Sequence, residues 1–578
     1  FAIMTLTAYV MPDSSGSSLP TLDIRPEWYR ETVRGGCSAA EFSVEGERNQ
    51  LWLCADLIGR EIRVYDERNQ VAWWGMVYEV RLNIDGTVFG FSLDGVANRI
   101  AVAYTTDMAD GSTDRKTTSW AVNQDSINRF GQKELLQSIG DASDELATAA
   151  QAKLLADMAW PRGVVSFDGR DGQNATLICV GWYSTLAWRN FTRLEGRIEF
   201  EGGVNTPGIT QVIGWQLAGN TGTSFSGNTI ACTTANVFAD LVAGAQIVVT
   251  GSASNNGTFT LERDAYNNGQ SIDVTTTLTT ESAGASVTIS AIGADRIAQK
   301  YVQAHAFDLW RVGLKIAKVG SPSGSLQVEL RTDSAGSPSA TIIATCSLAA
   351  SSIGTSPTWY WLTAASNPTL SASSTYWLLI KRSTSASATD YFTVSMDETV
   401  YETCKAWNGS AWVTHPNNQY VPFRVWGWED TLNQVKRILS DCGALLTGGQ
   451  DISITSGVKS NQWRDGDLSA LDEIQKLLDM GNSVGQRFTV SVTPDRTVRI
   501  VTEATPTETG DILGDGNQIR LVSGGLRARG DLPVGEWLTI DKAPLHLNAL
   551  YAISPQFIDE AEYSVGRDVM RLTPKRAG

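Results

Sequence analysis

At 578 residues the chain has length for about three to five domains, and a formal net charge of −16 opposes general affinity for nucleic acid or an anionic membrane face. Hydrophobic residues make up 42%, as in a folded globular protein, while 19 Trp and 53 Gly favour β architecture with many tight turns. Seven cysteines with no C-x-x-C spacing argue against a disulfide framework or a zinc site and read as small buried hydrophobes.

The segment from Phe1 to Pro12 has no basic region and no cleavage motif, so no signal peptide is expected. No apolar run approaches the roughly 20 residues of a membrane span. Up to about residue 105, Ile62–Asp66, Val71–Val80 and Val88–Leu93 alternate as strands. Asp85-Gly86 between the last two signals a hairpin, because a type I′ turn needs positive φ at both positions. A small antiparallel barrel over 1–105 is expected. The spacing of Leu146, Ala150, Leu154, Leu155 and Met158 then predicts one stripe of a helix, with Asp141 as cap and Pro161 as stop. Strands return at Val164–Phe167 and Ala175–Val180, and Gly181–Trp188 reads as a short helix. This completes a second part, 106–204.

Charge then disappears. From Gly203 to Leu261 the one charged residue is Asp240, and from Thr332 to Ile380 it is Asp333. Both tracts contain apolar runs that a disordered linker lacks, so they read as β-structure with a hydroxyl- and amide-covered outer face. A small β module is expected at 205–292. A two-sheet jelly roll is expected at 293–429, from Val312–Ala317, Leu326–Arg331, Tyr376–Lys381 and Tyr420–Trp426. Helical spacing resumes with Leu432, Val435, Ile438, Leu439, Cys442 and Leu445 behind the cap Thr431. A second helix carries Leu471, Ile474, Leu477 and Leu478 behind Ser469, with Gly481 as breaker. Strands Arg487–Val492 and Val498–Val501 flank the Pro494-Asp495 turn in an α/β part at 430–504. A final segment, 505–578, is mixed, its Pro544 and Pro555 suggesting loops. The expected class is mainly β with some α, multidomain: antiparallel barrels and short helices in a scaffold, with inserted all-β modules.

The Val71–Val80 strand with its Asp85-Gly86 turn resembles the first barrel of baseplate hub proteins from long-tailed phages. So does Ser126–Glu134, followed by an Ala-rich helix ending at Trp160-Pro161, and the helix–helix–strand segment 431–503 is similar to the second half of such hubs. The likeness spans roughly 1–200 and 431–578. It implies a structural hub at the tail tip of a virion, assembled in the host cytoplasm as a homotrimer around the DNA channel. It also implies contacts with the distal tail, tape measure and central spike or fibre proteins. Gly251–Thr260 resembles small β modules repeated in phage tail and fibre proteins. Lys318–Gly324, Thr332–Ser339 and Ser374–Ile380 resemble a surface sandwich attached to anchoring or carbohydrate-binding proteins, which implies contact with host surface glycans.

Eight Trp fall in 293–429. Aromatics commonly fill a two-sheet core, yet sugars lay their C–H faces on exposed rings. Asn408-Gly409 marks a hairpin tip, so Trp407 and Trp412 are the first candidates for a glycan platform, with Tyr401 and His415 close in sequence. No catalytic residue is assigned. The three His are far apart, and H-E-x-x-H, G-x-S-x-G, P-loop and dinucleotide motifs are missing. Asp168–Gly172 lacks the later acidic ligands of a calcium loop and reads as a turn. No cofactor, metal, specific nucleic-acid binding or membrane span is expected. The alternative reading is a carbohydrate-binding adhesin or a polysaccharide-degrading enzyme, and a third is a tail-associated cell-wall hydrolase.

Overall fold

The structure is a computed structural model describing residues 6–11, 22–66, 68–107, 113–167, 172–194, 197–201, 210–399, 401–416, 419–461, 463–503, 511–513, 519–520, 537–540, 556–564 and 569–574. Most of Asp168–Gly172, together with Pro544, His546 and Pro555, lies outside them. Antiparallel sheets dominate and helices are short, which is the mainly β, multidomain class expected. The chain divides into two compact units. One comprises Phe1–Arg193, Thr431–Val458 and Arg464–Gly578; the other comprises Leu194–Asp430 and Lys459–Trp463.

The first unit is organised by the strand Val71–Ile84. It turns through Asp85 (φ +51°) and Gly86 (φ +80°) into Thr87–Ser92, the register pairing Ile84 with Thr87. Gly75 in this strand is required by contact, since a Cβ there would stand 2.4 Å from the Val180 carbonyl oxygen. The sheet runs Thr7–Val10, Glu61–Tyr65, Val71–Ile84, Gln173–Val180, Gly36–Glu45, Ile24–Thr32 and then Gln556–Ser564. Two chain regions 532 positions apart therefore lie side by side: Tyr29 pairs with Tyr563, and the Arg30 guanidinium meets Glu562 at 2.6 Å.

The expected closed barrel does not form among the described residues. Ile24–Thr32 gives one edge to Gly36–Glu45 and the other to Gln556–Ser564, so no edge remains to close on Thr7–Val10. One hydrophobic core joins Phe42, Trp73, Val80, Leu177 and Trp182 to Leu432, Ile438, Ile474, Leu478, Val490 and Ile500. The helices Thr431–Cys442 and Ala470–Asp479 supply their apolar faces to it, the second capped by Ser469 accepting from the Asp472 amide at 3.2 Å.

The helix Asp144–Met158 differs from expectation in cap and in face. Ser143 accepts from the Leu146 amide, leaving Asp141 in the preceding strand, and Leu146 is 57% exposed. Ala147 and Gln151 turn inward instead. A methyl group lets the helix approach Val102 and Tyr104, and Gln151 donates to the carbonyls of Ile100 (2.7 Å) and Ser119 (2.6 Å). Satisfying buried carbonyls outweighs burying a leucine there.

The second unit holds two cores. Trp215, Phe225, Phe238, Ile247, Ile272 and Ile289 fill a small module whose sheet runs Leu217–Asn220, Val287–Ala291, Gln246–Thr250, Gly257–Thr260. Its strand Ser271–Glu281 leaves Thr275, Thr276, Thr277, Thr279 and Thr280 exposed, a face covered with hydroxyls. The larger body, where two packed sheets were expected, is one connected 14-stranded antiparallel sheet built on Phe307–Val319, which pairs with Thr358–Ala364, Tyr391–Ser395 and Phe423–Asp430 and contributes Leu309, Val312, Leu314 and Ile316 to the core. The isolated charge Asp333 accepts a hydrogen bond from the buried Trp377 indole at 2.8 Å.

Candidate functional site

Most tryptophans of the larger sheet body are occupied by the protein itself. Trp377 is fully buried. On one sheet face Trp310, Trp361 and Trp426 surround the Arg311 guanidinium at 4.0, 4.0 and 4.6 Å. Arg197 covers Trp426 at 4.1 Å, and Arg424 covers Trp359 at 4.2 Å. Guanidinium groups thus lie on the very ring faces a sugar would need, so this ladder holds the face together.

The hairpin Cys404–Trp407 and Trp412–Thr414 differs in bordering a cleft, although a guanidinium, that of Arg296, lies over a face of Trp407 as well. Asn408 accepts from the amides of Ser410 (3.0 Å) and Ala411 (2.8 Å), and Gly409 follows at φ +99°, which closes a four-residue tip. The Trp407 carbonyl accepts from Gly293 at 3.1 Å, tying the hairpin to the end of the small module. Trp407 consequently faces a cleft of about 660 Å³ within the second unit. That volume suits a ligand of a few sugar rings.

The cleft has three kinds of lining. Trp215, Val248, Ala291 and Ile292 give apolar surface, while Thr250, Thr288, Ser290, Thr384 and Ser385 give hydroxyls. Asp295, Arg296 and Arg382 give charge. Arg296 pairs with Asp295 at 2.8 Å and lies over the Trp407 ring at 4.7 Å. The Ser383–Asp390 wall is fixed by the Ser387 amide donating to the Gly214 carbonyl at 2.9 Å. Apolar rings beside hydroxyl and charged groups can take the C–H face of a saccharide and its hydroxyls together.

Of the four residues singled out from sequence, Trp407 lines this cleft and Trp412 lies behind it. Trp412 packs edge-on to Trp407 with centroids 5.4 Å apart, and it also rests on Trp377 and Leu379. Tyr401 is elsewhere, stacked on Phe200 at 4.3 Å and against Phe423, where burial raises its hydroxyl pKa. His415 is buried, its Nε2 3.1 Å from Gln211 Oε1, and burial lowers its pKa to about 4, which keeps it neutral. It lines a separate cavity of about 20 Å³, room for about one water and too small for a sugar. Nearness in sequence did not bring either to the cleft, because Tyr401, before the hairpin, packs onto the core of the larger body and His415, after it, turns into the interior beside Gln211.

Arg296 and Arg382 were missed. A usable signal existed. Asp295-Arg296 ends a run from Val274 whose one charge is Glu281, and Lys381-Arg382 ends the tract whose one charge is Asp333. Charges at the borders of neutral tracts mark where those β bodies turn toward a polar cleft. No protein-family model matches the chain, and no curated protein matches it in sequence.

Proposed function

We propose that the chain is a structural tail-tip hub of a tailed phage, whose second unit contacts host surface glycans through the Trp407 cleft. The observation that carries this reading is the construction of the first unit. Strands before residue 193 share one core with the helices Thr431–Cys442 and Ala470–Asp479, and Ile24–Thr32 pairs with Gln556–Ser564. A frame closed by both chain regions, with an all-β body spliced between them, suits a ring component that carries a decoration. The hydroxyl-covered strand and the cleft suit that decoration for a hydrated, sugar-rich surface.

Binding is preferred to hydrolysis on the same ground. Among the described residues lining the cleft the carboxylate is Asp295, already paired with Arg296, whereas glycoside hydrolysis uses two carboxyl groups roughly 5–9.5 Å apart. Electron cryomicroscopy of tail particles carrying this chain tests the reading. A closed ring, expected to be threefold, should surround the channel at the tail end. Purified particles with the chain monomeric or away from the tail end would refute it.

A further inference from the structure

Resting on the reading of the cleft as a saccharide site, we infer that its ligand is an anionic saccharide, gripped by Arg382 while Trp407 takes a sugar face. The charge ledger of the cleft points there. Asp295 and Arg296 neutralise one another across 2.8 Å, which leaves Arg382 as the lining charge that has no ion-pair partner among the described residues, the Asp390 carboxylate acting on it only through its field. The lining residues therefore carry one net positive charge in a chain of formal charge −16.

Arg382 is held as a fixed fork. It closes the strand Ser374–Arg382, and its stem lies on backbone at Gly214 (φ +76°), where a Cβ would come within 2.6 Å of the Arg382 Cδ. Its Nε donates to Thr384 Oγ1 at 2.8 Å, one Nη donates to the Asp390 carbonyl, and the other reaches Ser323 Oγ at 3.5 Å. All three acceptors are neutral, and each terminal nitrogen keeps a second N–H.

Asp390, the carboxylate whose field Arg382 feels, has its oxygens engaged by the Ser321 amide (2.7 Å) and by the hydroxyls of Thr389 (2.8 Å) and Ser387 (3.3 Å). Among the described residues no carboxylate forms an ion pair with Arg382. Burial draws its pKa below the ordinary arginine value, with Asp390 opposing, as expected of a cation lacking a direct counter-ion. A preorganised guanidinium with paired N–H groups presents the geometry that carboxylate, sulfate and phosphate oxygens accept in bidentate fashion. An Arg held by neutral acceptors at the wall of a sugar-sized cleft thus selects for charge, and the hydroxyl lining serves the rest of the ring.

The test is binding of galacturonate oligosaccharides, their carboxyl-reduced galactose counterparts and sulfated galactose oligosaccharides to the full chain. The native protein should bind a charged form at least about tenfold more tightly than the reduced one, the difference a charge-assisted pair supplies. Carboxylated and sulfated arms tell which anion it takes. Arg382→Gln should bring charged and reduced forms within about twofold. Asn408→Asp is a second variant that keeps the acceptor oxygen of the hairpin tip and adds a negative charge to the cleft. It should weaken only the charged ligands, and salt should erase the difference. Equal binding of charged and reduced forms, lost in Trp407→Ala, would overturn the inference and leave the saccharide reading standing. Charge preference surviving both Arg382→Gln and Asn408→Asp would also overturn the role of Arg382. Absence of binding to all three would count against the saccharide reading and the inference together.

Discussion

Replacing Glu134 by Ala should destabilise the first unit more than most single changes. Its side chain is 3% exposed and sits between two guanidinium groups, Arg99 at 2.7 Å and Arg189 at 3.0 Å. It also accepts from the Asn190 amide at 2.8 Å and from Gln132 at 2.6 Å. Arg189 in turn donates to the Asp441 carbonyl at 3.3 Å, so this carboxylate steadies a link from the strand side of the core to the helix Thr431–Cys442. Removing it leaves two partly buried cations facing one another and an amide without its acceptor. Breaking a buried pair from one side costs about 3–5 kcal/mol, because the remaining charge keeps its desolvation cost. Glu134→Gln retains one acceptor oxygen and should cost about half as much. Urea unfolding followed by hydrogen exchange resolved to 97–107 and 186–192 separates this unit from the other. A loss below about 1 kcal/mol for the alanine variant would refute the view that these groups act as one buried network. So would additivity of Glu134→Ala with Arg189→Ala.

His415 has a folded pKa of about 4 against 6.5 for the free side chain. The unfolded chain therefore takes up the proton first, and the contribution present above about pH 6.5 is lost as pH falls toward 4. It amounts to about 3 kcal/mol for the second unit, and His415→Gln should flatten that part of a melting-temperature profile. Lys133 is buried beneath Trp188 and Tyr78, and burial lowers its pKa to about 8. The folded state sheds this proton first, so the first unit should gain stability as pH rises from about 8 to 10.5, and Lys133→Met should abolish the gain in a urea titration. Trp407→Ala should weaken saccharide binding at least about tenfold with the melting temperature nearly unchanged. Trp412→Ala should lower both, because Trp412 also packs on Trp377 and Leu379.

Local chemistry explains which features were legible. The Asp85-Gly86 turn needed positive φ at both positions, and φ there is +51° and +80°. The helix at 470 combines the Ser469 cap with an apolar stripe; the helix at 431 has the stripe but not the expected cap, since Thr431 lies within the helix and donates to Ser456, and most of both stripes is buried. The helix at 144 resisted reading because its inward face is alanine and glutamine, selected by close approach and by carbonyls that only the fold exposes. The open sheet was invisible for a related reason. Pairing of Tyr29 with Tyr563 depends on a partner 534 positions away (563 − 29), beyond any local pattern. At the site, the hairpin tip drew attention to Trp407. The arginines arrive from strand ends 86 positions apart (382 − 296), and only the folded chain brings them to one cleft.

Excising 194–430 and bridging Arg193 to Thr431 with a flexible linker puts the central idea to its most direct trial. Hydrogen exchange would be measured at Ile24–Thr32, Gln556–Ser564 and the two helices that follow the splice. A frame that is complete without its decoration should keep native protection at all four segments. Rapid exchange at the paired strands, or loss of the helices, would contradict the account and make the spliced body part of the core fold.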